Sequence, residues 1–170
     1  MTEQTMPDDY ERRSDELWAS IDEYDEDVFR AKIEELVAEL PADNAIAAFE
    51  RACAFDSTGH PDRAVPVYRR ALELGLQGER RRRAVIQLAS SLRNLDQVAA
   101  SLELLTAEVK QPSDRLDDAV RAFLALALVD SGREREAVSV ALTTLAPHLP
   151  RYQRSLGNYA RELVAADRDR

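Results

Sequence analysis

A chain of 170 residues is long enough to form one domain with a true hydrophobic core. Its formal net charge of −9 excludes a general nucleic-acid binder, because neutralising phosphates takes a surplus of Lys and Arg. Its single cysteine, Cys53, excludes an internal disulfide, and no apolar run approaches the ~18 residues that span a bilayer.

The charge is unevenly spread: residues 1–50 hold 16 acids and 4 bases, and residues 51–110 hold 7 acids and 10 bases. Abundant Ala and Leu with five glycines and seven prolines suit an all-helical chain. The N-terminus MTEQTMPDDY is polar and has no apolar stretch of the signal-peptide kind, so a cytoplasmic protein is expected.

Residues 1–7 read as a disordered tail, and 8–42 as an acidic pair of helices. The first runs from Asp8 to about Glu23, with Leu17, Ile21 and Tyr24 one helical turn apart and Trp18 beside them. Asp25-Glu26-Asp27 then offers an N-cap and first-turn acids to a helix over Val28–Leu40. That helix buries Phe29, Ile33, Leu36, Val37 and Leu40, and Pro41 ends it. Asp43 is placed to cap the next helix, which runs to about Thr58.

Residues 43–147 divide into three helix pairs. Gly59 turns the chain, Pro61 fits a first helical position, and the returning helix ends before Gly75. Pro66 falls inside that helix and removes the bond to the carbonyl of Asp62, which predicts an irregular first turn or a late start. The second pair covers Glu79 to Leu92 and Leu95 to Val109, with Arg93-Asn94 as its turn. After a break at Gln111-Pro112-Ser113 comes LDDAVRAFLALALVDSG, apolar most of the way round and therefore expected to be the most buried helix. Arg133 to Leu145 returns from it. Residues 148–166 form a capping helix with Tyr152, Leu156, Tyr159, Leu163 and Val164 on one face.

Phe55, Gly59, Ala64, Tyr68 and Ala71 in the first pair recur 34 residues later as Ala89, Arg93, Val98, Leu102 and Leu105. These offsets, with runs such as AFERACAFDSTG, AVPVYRRALELGL, AVIQLASSLRNL and LPRYQRSLGNYAREL, resemble the tetratricopeptide repeat family. More narrowly, the chain is similar to small bacterial tetratricopeptide proteins of unassigned role. The resemblance implies an all-α, right-handed superhelix of about eight antiparallel helices, together one domain. In this register the small residue where paired helices touch is Ala52 and Ala125, but Ile86 in the middle copy. The small residue opening the second helix is Ala64 and Ala137, but Val98 in the middle.

The implied function is a non-catalytic interaction module that holds a peptide or partner surface in a concave groove. Arg80 and Arg83 share a helical face with Gln87 and come near Ser90, Ser91 and Asn94; in a repeat of this kind that face lines the groove. Arginine beside Gln, Ser and Asn suits a carboxylate or phosphate. The competing reading pairs these arginines with acids, including those of the N-terminal helices. Asp56 sits at a helix C-terminus, where an acid is unfavourable, on the same side; it suits either a groove contact or a bond to turn N–H groups. Two alternatives stand beside the groove reading. One is a self-associating protein whose groove is filled by its own N-terminal helices or a twin chain; the other is a small-anion-binding accessory protein.

Catalytic, metal and cofactor patterns do not emerge. His60 and His148 lie in separate turns beside prolines, and Cys53 sits among alanines. The expected partner is a protein or peptide, with a second copy of the chain as a further candidate; nucleic acid and membrane are not expected.

Overall fold

The computed structural model describes residues 9–165, all of whose regular structure is helical. The expected tail over residues 1–7, Asp8 at the expected start of the first helix, and the last residue of the expected C-terminal cap lie outside the described residues. In chain order the helices are α1 (Tyr10–Ala19), α2 (Glu26–Val37), α3 (Ala45–Ser57), α4 (Pro61–Glu73) and α5 (Gly78–Asn94). They continue with α6 (Val98–Glu108), α7 (Asp117–Asp130), α8 (Glu134–Leu145) and α9 (Gln153–Ala165). Contacts gather into two compact units, one ending at Ala84 and the other starting at Val85, a boundary that falls inside α5.

In the first unit, the apolar face of α2 supplies Phe29, Ile33, Leu36 and Val37 to a core completed by Tyr10, Leu40, Ala47 and Ala54. Burying each large side chain of this kind contributes about 1.5–3 kcal/mol. Trp18 meets Phe29 edge-on at 5.0 Å. The first helix is shorter than its apolar spacing suggests. It stops at Ala19, and Ile21–Glu23 tightens into a 3₁₀ turn, with the Ser20 hydroxyl donating to the Leu17 carbonyl. Asn44, not Asp43, caps α3: its side-chain oxygen accepts from the N–H groups of Ile46 (2.8 Å) and Ala47 (3.1 Å). Asp43 pairs with Arg70 instead. Pro66 neither delays nor breaks α4, which is helical from Pro61 onward.

In the second unit, Ile86 and Ala89 of α5, Leu105 of α6, and Val120 and Ala127 of α7 form one cluster. Ala125 and Leu128 of α7 and Ala137 of α8 form another. The terminal helix α9 packs against α8, with Gly157 and Ala160 buried. The tyrosines expected on its buried face are outside: Tyr152 is 77% exposed and Tyr159 64%.

The turns fix the repeat register. His60 N–H donates to the Phe55 carbonyl, Gln97 N–H to Leu92 and Arg133 N–H to Leu128, each at 2.9 Å. The residue before each donor is left-handed: Gly59 (φ 75°), Asp96 (φ 59°) and Gly132 (φ 75°). This is the same closing motif three times. It sets successive copies 37 and 36 residues apart, not 34 and 39. The middle turn centres on Asp96, three residues beyond Arg93. With that shift the apparent departures from the repeat pattern disappear. The helix-contact residue is Ala52, Ala89 and Ala125, and the second helix opens with Ala64, Ser101 and Ala137, all buried.

Candidate functional site

The corrected register sorts the inner-face positions. Phe49, Cys53, Asp56 and Ser57 of α3 correspond to Ile86, Ser90, Arg93 and Asn94 of α5, and to Ala122, Leu126, Val129 and Asp130 of α7. Ser90 and Asn94 therefore stay at inner-face positions. Gln87 moves one place aside, to the position held by Glu50 in α3 and Phe123 in α7. Ser91 moves to the helix-contact seam held by Ala54 and Ala127, and all three are buried. Arg80 corresponds to Asp43, ahead of the repeat helix itself.

In the first unit these positions are already engaged. Arg80 pairs with Glu11 of α1, and its Nε lies 3.7 Å from Glu50. Glu50 is 4% exposed and accepts a 2.7 Å hydrogen bond from the Trp18 indole. Burial pushes its carboxyl above the ordinary range, against the pull of the Trp18 bond and of Arg80 and Arg83. Partial burial opposes the charge on Arg80, but Glu11 and Glu50 outweigh it and raise its pKa. The arginine reading that involves the N-terminal helix thus describes Arg80. Arg83 is exposed and stacks over the Phe49 ring, 5.3 Å from its centroid. Asp56 accepts a 3.3 Å hydrogen bond from the Tyr68 hydroxyl of α4. Cys53 is buried beside Tyr68; burial first, and the Glu50 charge second, push its thiol up to about 12.

In the second unit the equivalent face is open. Ala122, Leu126 (45% exposed) and Val129 (47%) make an apolar stripe along α7, the helix expected to be the most buried. Ser90 is half-buried and Asn94 exposed on α5. Arg93 of α5 pairs with Asp130 of α7, which ties together the C-terminal ends of the two helices. The stripe is thus edged by hydroxyl, amide and a bridging ion pair. Sequence reading missed Ala122, Leu126, Val129, Arg93 and Asp130. The signal was present in the all-round apolarity of α7, which exceeds what two flanking helices can cover.

Among the described residues, no group of three or more His, Cys, Asp or Glu side chains comes together as a metal site. No helix among them is long and apolar enough to cross a membrane. Comparison with protein families finds a match to the family described as "Tetratrico peptide repeat" over residues 45–163. No curated protein and no solved structure matches the chain. Three copies of one turn motif, alanine at each helix contact and a family match across most of the length agree: the chain belongs to the tetratricopeptide repeat family.

Proposed function

We propose that the inner face of α5 and α7 in the second unit binds a partner protein through an inserted peptide segment. Membership of this family implies a protein-interaction or scaffold module, and the family is generally non-catalytic. The observation that carries the reading is the open stripe Ala122–Leu126–Val129. Leu126 stays 45% exposed where its counterpart on α3, Cys53, is buried, and Val129 47% exposed where Asp56 is partly covered.

The partner segment presents an apolar side chain or two to this stripe. Ser90 and Asn94 supply hydrogen bonds to its backbone, and the Arg93–Asp130 pair sets its direction. Asp56 and Arg80 support the first unit's own structure in this reading, because Tyr68, Glu11 and Glu50 engage them.

A photo-crosslinking side chain placed at Ala122, with a control at exposed Glu103 on α6, tests the site in a lysate of the native host. The expected result is a discrete adduct from position 122 alone, lost with Leu126→Glu/Val129→Glu while the helical content is kept. Identical adducts from both positions, or none, would overturn it.

A further inference from the structure

We propose that the depression between the C-terminal end of α8 and α9 docks the acidic segment around Asp25 of a second copy of this chain, joining copies head to tail. This surface is separate from the inner face of α5 and α7.

The receiving surface is a depression where the C-terminal end of α8 meets α9. Ala146, Pro147 and Gly157 line it together with Arg154 and Arg161, two turns apart on α9, and Arg161 lies over Gly157, its Nη1 3.6 Å from where a Cβ there would sit. The Gln153 amide fixes one wall by donating to the carbonyls of Pro147 (3.1 Å) and Leu149 (2.9 Å). Arg154 and Arg161 make no ion pair among the described residues; Arg161 donates only to Asn158. No acid occurs from Ala137 to Arg161, a stretch that also carries Arg151 and His148. Two forked cations beside small apolar residues, neither in an ion pair among the described residues, suit carboxylates flanking a short apolar side chain. At the edge, Tyr152 is held at φ 70°, a costly conformation for a bulky residue, with its ring in solvent.

The chain itself contains the matching surface. Between Arg13 and Arg30 there are seven acids and no base. Asp22, Glu23, Asp25 and Glu26 are exposed and make no ion pair among the described residues, and Asp25 makes no side-chain cap bond to α2. Val28, immediately after them, is 45% exposed; among large hydrophobics so exposed, it is the one in the described part of the first unit. Acids beside an isolated exposed valine complement arginines beside Ala, Pro and Gly in charge, size and polarity. The two surfaces differ, so the contact is heterologous and each copy keeps one of each free after pairing.

Light scattering across a concentration series reads the association. The expected mass for the native chain rises beyond a dimer with concentration. It falls towards monomer at ~1 M salt, where the screening length is about 3 Å. Arg154→Ala/Arg161→Ala disables one surface and Asp25→Lys/Glu26→Lys the other, so each variant alone is monomeric. Mixed together they form a dimer that grows no further, because only one functional contact remains. Asp25→Asn/Glu26→Gln replaces the second variant if the reversed charges disturb α2, as judged by helical content. A chain monomeric at every concentration overturns the proposal, as does association that both variants retain, or a mixture that stays monomeric. Leu126→Glu/Val129→Glu leaves this association intact, so failure here and failure of the inner-face reading are distinguishable.

Discussion

Glu50 shows what a single residue position commits the molecule to. Its carboxyl is buried, holds the Trp18 indole and neighbours Arg80, and burial raises its pKa from the ordinary 4.5. Between 4.5 and the raised value, the folded state keeps a proton that the unfolded chain has released. Stability therefore falls as pH rises through that window and levels off above it. Glu50→Gln keeps an acceptor for Trp18 and removes the charge, so melting temperature followed from pH 4 upward should lose that downward slope. Glu50→Ala strands the indole N–H and should cost about 1–3 kcal/mol. Cys53 gives a second residue-scale expectation. With its thiol pushed up to about 12 and 3% exposed, it should resist a disulfide-exchange reagent at pH 8 and react at once in denaturant. Fast labelling of the folded chain would contradict this burial.

At the scale of elements, the turns within the three helix pairs share one geometry but not one residue. Gly59 and Gly132 occupy the left-handed position without strain, whereas Asp96 carries a Cβ there. Asp96→Gly should therefore stabilise the protein by about 0.5–1 kcal/mol, the relief being partly offset by unfolded-chain entropy. Gly132→Ala should destabilise it by about 1 kcal/mol through backbone conformation alone, since no atom lies within 4 Å of the added Cβ. Chemical denaturation of the two variants checks the opposite signs. The same aspartate explains where sequence reading lost the register. Glycine advertises a left-handed turn and aspartate does so weakly, so the sequence spacing alone puts the middle turn at Arg93 and shifts every inner-face position on α5 by three. Helices, the α2 core and the repeat class were legible, because period and apolar spacing are local properties. The cover over Arg80 was legible only as an alternative, because Glu11 lies 69 residues away along the chain. The exposed side of α9 was not legible: Tyr152 and Tyr159 have helical spacing, but the small residues Gly157 and Ala160 are the buried ones.

At the scale of the molecule, the question is which apolar surface holds the fold and which is kept for something else. Leu105 is 1% exposed in the cluster that joins α5, α6 and α7, and Leu126 is 45% exposed on the same α7. Leu105→Ala removes buried contacts and leaves a cavity, so it should cost about 2–5 kcal/mol in denaturant unfolding. Leu126 and Val129 are already nearly half exposed, so a Glu at either position can carry its charge into solvent, and each substitution should cost no more than about 1 kcal/mol. If it does, the stripe contributes little to folding, and its aliphatic side chains are retained against the ordinary solvation preference of a surface. A loss of several kcal/mol from the double variant would instead make Leu126 and Val129 part of the core of the second unit. The inner-face site would then lose the observation that carries it.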